Sequence, residues 1–321
     1  MNITFNRMNI TLDKKKILED SLKDRKIGMI IAETSSALII AILALIGNLT
    51  LCLAIYGTRA LRCIQNYYIV ALAASDLLLT ILCLPLGLTV VILGRWPFGD
   101  AICQIQGSFI YYFACFSVLT MTLIAVNRYI KMMHSVIIYQ RFFTKSNVLI
   151  SIAFCAIFSG IFLIPFVSQR FCFHPGKCAC FVCKSRDGEN QAVLIVPYTI
   201  LITMTYPVIT FCYSKVFRKV HLHFSRIAPS NIHENSAKSY AEEVKITKIL
   251  FAVLIAFVMC WTPPFIIEFI DMFHGQYRLP RQVYLIMPFM GAANCAVNPL
   301  IYGLLQRRFR EAYINVLTCR N

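Results

Sequence analysis

The sequence predicts an all-α membrane protein, a bundle of seven transmembrane helices followed by a short amphipathic eighth helix. The chain has 321 residues, of which 58% are hydrophobic, and apolar runs long enough to cross a bilayer recur along it. The net charge is +16, but the basic residues lie between the apolar runs, as they do in the cytoplasmic loops of membrane proteins. No soluble domain remains to bind nucleic acid, so we expect no nucleic-acid partner.

Residues 1–28 precede the first apolar run and are predicted to form a disordered extracellular tail. The segment is rich in lysine, and Asn2 and Asn9 each begin an Asn-x-Thr tripeptide, the acceptor pattern for N-glycosylation. No short apolar stretch with a small-residue cleavage site precedes the first run, so we expect no cleaved signal peptide.

Seven apolar runs make up the predicted transmembrane domain, residues 29–304, and residues 305–321 are predicted to form the amphipathic helix and a short cytoplasmic tail. The runs cover about 29–56, 67–93, 101–131, 147–168, 192–217, 247–272 and 282–304. The connections from Arg59 to Arg62 and from Lys131 to Lys145 carry basic residues and no acid. Because cytoplasmic loops are enriched in lysine and arginine, we expect a plasma-membrane protein with its N-terminus outside the cell.

The third run carries different chemistry at its two ends. The 25 steps from Cys103 to Arg128 cover about 37 Å in a helix, which exceeds the roughly 30 Å hydrocarbon thickness of a bilayer. One helix can therefore place Cys103 in the oxidising medium outside and Arg128 at the cytoplasmic face.

Four cysteines lie within twelve residues of a polar loop that we expect outside: Cys172, Cys178, Cys180 and Cys183. Together with Cys103 they make five, an odd number, so at least one is free or pairs elsewhere. The extracellular position favours disulfides, and a zinc site is the alternative interpretation.

Polar side chains inside the apolar runs are costly and usually mark function. Asp76 lies midway along the second run, and Ser117, Asn294 and Asn298 lie at comparable depths in the third and seventh runs. An acid with several neutral oxygens suits a hard cation, so we expect an allosteric Na⁺ site and no other metal or cofactor. The alternative is a structural hydrogen-bond network around a protonated Asp76.

The inner ends of the third and sixth runs carry opposite charges. Glu243 lies 18 residues before Trp261, which places it level with Arg128, and an ion pair between Arg128 and Glu243 would hold the inner face closed. Pro263 kinks the sixth run, so breaking that pair would let this helix swing outward. Trp261, a bulky ring two residues before this proline, can act as a packing switch. The alternative for Arg128 and Glu243 is that both charges are solvated at the inner face, and the alternative for Trp261 is an ordinary aromatic core residue.

The segment after the seventh run has helical amphipathic spacing. Phe309, Tyr313 and Leu317 recur on one face with charged residues between them, which predicts a helix lying on the inner leaflet. Cys319 follows it and is either a palmitoylation site or a free thiol.

Short motifs occur in a fixed order along the spans: Gly47-Asn48, Leu72-Ala73-x-x-Asp76, Trp96-Pro97-Phe98-Gly99, Asn127-Arg128-Tyr129, Phe257-x-x-Cys260-Trp261-x-Pro263 and Asn298-Pro299-x-x-Tyr302. Through these motifs the chain resembles the rhodopsin-like (class A) G-protein-coupled receptors over residues 29–317. Within that family, Asn127-Arg128-Tyr129 and the run from Ile301 to Leu305 are most similar to melatonin receptors and their orphan relatives.

The resemblance implies a receptor that binds an extracellular ligand and activates a heterotrimeric G protein by outward movement of the sixth helix. It also implies a disulfide from Cys103 to the loop, with Cys183, Cys180 or Cys178 as partner, and the sodium site around Asp76. The residues expected to switch the receptor and couple it to the G protein are Asn127, Arg128, Tyr129, Tyr213, Glu243, Phe257, Trp261, Pro263, Asn298, Pro299 and Tyr302.

The same resemblance places the ligand pocket in the outer half of the bundle. The pocket candidates are Ile110, Tyr111, Ala114, Trp261, Phe265, Glu268, Tyr284 and Pro288. Ile110 stands where amine receptors carry an aspartate, and Ala292 stands where opsins carry the retinal-linking lysine, so a strongly basic amine and covalent retinal are disfavoured. We expect a neutral or weakly basic small molecule, or a short peptide.

Two other functional classes are weighed against the receptor. A seven-helix transporter or channel is the alternative, but the inverted repeats and broken helices typical of transporters are not evident. An enzyme is disfavoured because the six histidines lie in loops or at span ends without a partnering nucleophile or metal-ligand spacing.

Overall fold

A computed structural model of the chain describes residues 2–163, 171–182, 189–226, 234–274 and 277–318. The side chains of residues 2–12, 189–198 and 220–243, and those of a few single positions, lie outside this description. Within the described residues the chain is almost entirely helical, with one two-stranded sheet. All seven predicted apolar runs lie on helices, the fourth in part.

The helices follow the predicted spans closely. The first is Ile27–Gly57, the second Asn66–Leu82 continued by Leu84–Leu93, the third Gly99–Met133, the fourth Lys145–Ser159 with a 3₁₀ turn at Gly160–Leu163, the fifth Glu189–Arg226, the sixth Glu234–His274 and the seventh Arg281–Leu305. Five described helices are long and apolar enough to cross a membrane singly, and the fourth passes that test together with the bent inner helix Val136–Phe142. The predicted all-α seven-span bundle is confirmed.

Capping residues begin two of the inner elements. Ser135 precedes the inner helix Val136–Phe142, and its hydroxyl accepts from the backbone N–H of Ile138. The hydroxyl of Thr144 accepts from Asn147 N at 3.2 Å and starts the fourth span. Such caps satisfy N–H groups that lack partners in the first helical turn.

The N-terminal segment differs from the predicted disordered tail. Asn2–Lys23 form a helix, here called the tail helix, and Leu18 and Leu22, four residues apart on one face, are 4% and 1% exposed. Leu22 packs against Val90 and Val91 at the outer end of the second span. A lysine-rich segment becomes ordered because these two leucines find an apolar surface on the bundle, so the prediction of disorder was wrong here.

Ion pairs hold the tail helix to the bundle. Arg25, which follows that helix, donates to Val91 O at 2.6 Å and pairs with Glu33 of the first span, also at 2.6 Å. Arg281 of the seventh span pairs with the same carboxylate. The Arg25–Glu33–Arg281 cluster therefore ties the tail to three spans at the outer end.

The inner end is closed by close packing of small and aromatic residues. A side chain at Gly47 would come within 2.7 Å of the Pro299 ring, so glycine is what allows the first and seventh spans to approach. The predicted amphipathic helix forms at Arg307–Leu317. Phe309 is buried against Tyr302, with ring centroids 5.5 Å apart, and Tyr313 donates to Pro299 O at 3.2 Å.

Candidate functional site: an outer cavity, a buried lysine and a polar core

A β-hairpin lies over the outer half of the bundle. Strands Phe171–His174 and Ala179–Val182 pair antiparallel, with Cys172 opposite Phe181. Gln104 of the third span donates to Phe171 O at 2.6 Å and accepts from Phe171 N at 2.9 Å. A side chain at Gly107 would lie 2.4 Å from the Phe171 ring, so the hairpin sits directly on the third span.

A disulfide fixes the hairpin in place. Cys103 is bonded to Cys180. Of the three partners that the sequence left open for Cys103, this bond selects Cys180 and excludes Cys183 and Cys178. Cys172 is also disulfide-bonded, and Cys178 is free and buried. The disulfide interpretation is thus confirmed for three of the five cysteines, with Cys178 the expected odd one. Cys183 lies outside the described residues.

Lys177, in the turn of the hairpin, is fully buried, with 1% of its side chain exposed. Its Nζ lies 2.8 Å from Glu268 Oε1 and 3.1 Å from Asp271 Oδ2, both on the sixth span. The rings of Phe181 and Tyr284 face the ammonium at 4.8 and 5.6 Å, within cation–π range. Burial alone would lower the pKa of Lys177, but attraction to the two carboxylates outweighs burial and raises that pKa. The hairpin is therefore anchored by a charged ammonium inside the bundle.

His174 completes this cluster. Its ring lies 4.7 Å from that of Tyr277 and 4.6 Å from that of Tyr284, measured between centroids. Its Nδ1 accepts from Lys177 N at 3.3 Å. Burial, together with the nearby Lys177 charge, holds the pKa of His174 well below its usual value, so the imidazole is neutral.

A cavity of about 470 Å³ lies beneath the hairpin, within the range of about 300–1,000 Å³ typical of ligand sites. Its walls come mainly from the first, second and seventh spans, and the hairpin residues Cys178, Ala179 and Phe181 form its outer side. The lining is almost entirely apolar; Thr80 and Gln106 are its polar members besides the indole of Trp261. The Trp261 Nε1–H is buried and has no hydrogen-bond partner among the described residues.

The predicted pocket residues divide into two groups. Ile110, Trp261 and Pro288 line this cavity, whereas the others pack around the hairpin or in the core. Tyr111 contacts the rings of Phe171 and Phe181, Phe265 packs beside Phe269, Ala114 is buried at 4% exposure, Glu268 pairs with Lys177, and Tyr284 is fully buried and donates to Asp271. The space expected between the third, sixth and seventh spans is thus filled by the hairpin, and the open volume lies on the side of the first and second spans.

The polar core assembles around Asp76, which is 1% exposed. Asn298 donates to Asp76 Oδ2 at 3.1 Å, and the Cys295 thiol is a second hydrogen-bond partner. Ser117 and Asn294 are both buried, at 3% exposure, but no hydrogen bond joins them to Asp76 among the described contacts. The structure therefore brings Asp76 and Asn298 together and adds Cys295 to the polar core.

The inner face gathers most of the predicted switch residues. Arg128 is 2% exposed and lies close enough to Tyr213 and Tyr302 to interact with both electrostatically. Arg128 and Tyr302 also line a small cavity of about 40 Å³ between the inner ends of the spans. The hydroxyl groups of Tyr213 and Tyr302 have no hydrogen-bond partner among the described residues.

The remaining switch residues surround this group. Asn127 donates to the Tyr139 hydroxyl at 3.3 Å, Tyr129 packs against Phe211 with centroids 5.7 Å apart, and Phe257 lies beneath Trp261 at 6.1 Å. Pro263 and Pro299 are inside helices. The Glu243 side chain lies outside the described residues, so the Arg128–Glu243 pair stays a prediction. The same holds for the side chains of Asn2 and Asn9 and for Cys319.

Sequence reasoning missed the buried charges at the outer end, namely Lys177, Asp271, Arg25, Glu33 and Arg281. One signal could have found the hairpin, because Pro175-Gly176 is a turn dipeptide that directly follows Phe171–His174, a segment in which phenylalanine alternates with other residues. The burial of Lys177, which follows from the position of the hairpin, could not be predicted from the neighbouring residues, since a lysine in a polar loop is usually solvated.

The sequence is similar to those of known membrane receptors. The model of the 7 transmembrane receptor (rhodopsin family) matches residues 47–302. The melatonin receptor type 1B-B of Danio rerio is 27% identical over 293 residues, covering 90% of this chain and 82% of that protein. The histamine H2 receptor of Rattus norvegicus is 30% identical over 287 residues, covering 87% and 77%. The RYamide receptor of Drosophila melanogaster is 29% identical over 297 residues, covering 87% and 61%.

Proposed function

The chain belongs to the rhodopsin family of seven-transmembrane receptors, and on this premise we propose which ligand class it binds and how it passes the signal inward. It is a G-protein-coupled receptor and a multi-pass membrane protein. The predicted receptor function is confirmed, the transporter or channel alternative is wrong, and the family and its relatives are receptors, not enzymes.

The proposed orientation places the tail helix outside the cell. The Cys103–Cys180 disulfide and the tail helix lie at the same end of the bundle, since Leu22 and Cys178 share one buried cluster. Disulfides persist in oxidising compartments, and Arg59, Arg62 and Lys131 lie at the opposite end. These observations support a plasma-membrane receptor whose inner face meets the G protein.

The proposed ligand is a neutral small molecule. The observation that carries this proposal is the almost entirely apolar cavity of about 470 Å³ that Trp261 helps to line. Glu268, the acid expected near the pocket mouth, is already neutralised by Lys177. Relatives are named for histamine and for RYamide, but here the carboxylates of Glu268 and Asp271 are paired with Lys177 of the hairpin.

Signalling is proposed to be a shift in population between closed and open inner faces. A ligand changes that equilibrium only by its differential affinity for the two states. Trp261 borders the cavity and packs on Phe257 in the sixth span, so an occupant in contact with the indole can bias this helix at its Pro263 kink. Outward movement of its inner end would expose Arg128 to the G protein.

The polar core is the proposed sodium site. Hard cations take oxygen ligands, and the Asp76 carboxylate supplies a buried anion. Asn298 donates to this carboxylate at 3.1 Å, and Ser117 and Asn294 are buried. Asp76, Ser117, Asn294 and Asn298 would hold the cation, whose charge would stabilise the anionic form of Asp76.

Nucleotide exchange on purified heterotrimers tests the proposed function. The receptor is reconstituted in lipid nanodiscs and a library of neutral and charged small molecules is screened for faster exchange. We expect active compounds to be neutral and to lose their effect in Trp261→Ala, while the response to G-protein concentration is retained. Active compounds that are all strongly cationic would overturn the ligand assignment.

A further inference from the structure

We propose that the outer cavity is entered from the bilayer, between the first and second spans, by a neutral, membrane-soluble ligand. This inference rests on the proposed receptor function and deepens it, because it specifies the ligand's chemistry and its route.

The route from the medium is closed by the receptor itself. Lys177 anchors the hairpin to Glu268 and Asp271 at 2.8 and 3.1 Å, and the disulfide at Cys180 holds its second strand. The hairpin turn forms the outer side of the cavity through Cys178 and Ala179. A ligand arriving from water would have to break a buried ion cluster.

The tail helix adds a second layer over the same turn. Leu22, with 1% exposed, shares a buried cluster with Cys178, Val90 and Val91. Arg25 fastens the end of that helix to Val91 O at 2.6 Å, and Val91 is itself part of the cavity wall. Two separate elements therefore cover the outer side of the site.

The wall toward the first and second spans is open instead. Leu38, Ile42 and Leu45 of the first span and Ile81 of the second span line the cavity, yet they are 44%, 45%, 39% and 55% exposed. These side chains lie within helices long and apolar enough to cross the membrane. What meets their exposed surface is hydrocarbon, so a molecule dissolved in the bilayer reaches the cavity without crossing water.

The lining sets the chemistry of the occupant. Apolar walls favour a hydrocarbon chain or ring, and transferring a charge there without a partner would be costly. Thr80, Gln106 and Trp261 are the only described lining residues with polar side-chain atoms besides the thiols of Cys83 and Cys178. This lining fits a neutral, lipid-like molecule.

The test uses a long-chain fatty alcohol that carries a diazirine, added to the receptor in nanodiscs and mapped by mass spectrometry after illumination. We expect adducts on cavity-lining residues of the first, second and seventh spans. Ala41→Phe fills the cavity from the first span and should reduce these adducts about five-fold or more. The matched control Ala74→Phe, on an exposed, non-lining position of the second span, should leave them unchanged. Equal labelling in both variants would mean annular lipid only and would overturn the proposal.

One further arm tests the route. A membrane-impermeant quaternary ammonium with the same diazirine should not label the wall, and wall labelling by this probe would overturn entry from the bilayer.

Nucleotide exchange in the same nanodiscs separates this inference from the proposed function. Exchange that proceeds while the cavity wall is never labelled defeats the bilayer route alone. Absence of exchange with every heterotrimer, whatever the labelling, defeats the proposed coupling, and the photolabelling then still decides the route.

Discussion

The buried ammonium of Lys177 provides the sharpest test of the outer architecture. Lys177→Met removes the charge while keeping an unbranched apolar side chain of similar length. The substitution leaves the carboxylates of Glu268 and Asp271 without their cation, although Tyr284 still donates to Asp271. The hairpin then loses its anchor to the sixth span.

The magnitude follows from the burial of the pair. Removing one partner of a buried ion pair typically costs about 3–5 kcal/mol, because an uncompensated charge remains inside the protein. Glu268 is 15% exposed and Asp271 is 1% exposed, so some solvent relieves the first acid and the lower end, about 3 kcal/mol, is expected. For a chain of 321 residues that loss lowers the melting temperature by about 4 °C.

Two assays measure this effect in purified receptor. Thermal unfolding followed by tryptophan fluorescence gives the melting temperature. Alkylation of Cys178 by a charged thiol reagent, followed by mass spectrometry, reports opening of the hairpin turn. Cys178 is 1% exposed, and burial raises the pKa of its thiol to about 12, so it should be inert in the native receptor and become reactive in Lys177→Met.

The matched control is Lys177→Met made in a receptor that already carries both Glu268→Gln and Asp271→Asn. In that background Lys177 is itself the unpaired buried charge, so Lys177→Met should be neutral or stabilising, and the sign of the effect should change. The coupling between the lysine and the two acids is then about 3 kcal/mol or more. An equal loss of stability in both backgrounds, or a coupling below about 1 kcal/mol as for a solvated surface pair, would refute the buried ion cluster.

Three other perturbations address the inner face, the polar core and pH. Glu243→Ala should raise ligand-independent nucleotide exchange, because Arg128 loses its predicted restraint; unchanged basal exchange at equal surface expression would count against the ion pair. Asp76→Asn should abolish the sodium dependence of agonist affinity, measured in sodium against N-methylglucamine, and a persisting dependence would place the cation elsewhere. The pKa of His174 is lowered in the folded receptor. Below about pH 6.5, the usual histidine pKa, His174 therefore binds a proton in the unfolded chain but not in the native state, and the free energy of unfolding falls. The melting temperature should therefore fall from pH 7 to pH 5, and His174→Phe, which keeps the ring contacts with Tyr277 and Tyr284, should flatten this slope; parallel slopes would contradict the assignment.

The sequence was sufficient for the features that are set by local pattern. Apolar run length locates the spans, and the spacing of Phe309 and Tyr313 locates the helix on the inner leaflet, because both depend on the helical repeat and on transfer from water. Asp76 and Asn298 could be paired from depth alone, since residues at equal depth in neighbouring spans meet. The switch residues near Arg128 came instead from the resemblance that the short motifs carry.

What the sequence could not supply depends on contacts between distant segments. From the sequence alone, Lys177 is expected to be a solvated loop residue. It is buried because the hairpin packs on the third span, where the absence of a side chain at Gly107 leaves room for the ring of Phe171. From the sequence alone, the tail helix is expected to be a charged, disordered segment. Its order depends on the contacts of Leu18 and Leu22 with the bundle. The position of the open cavity also depends on such contacts. The cavity lies beside the first and second spans because the hairpin occupies much of the space between the third, sixth and seventh spans, where the predicted pocket residues lie.

The coupling mechanism is tested most directly by the distance between the inner ends of the sixth span and the second inner loop. Spin labels on unnatural amino acids at Lys245 and Ile137, both exposed, avoid the fourteen native cysteines and allow that distance to be measured in Glu243→Ala receptor. On binding a nucleotide-free heterotrimer the distance distribution should shift to longer values by several ångström. A distribution that stays unchanged while the nucleotide-free heterotrimer is bound would contradict the outward movement of the sixth helix.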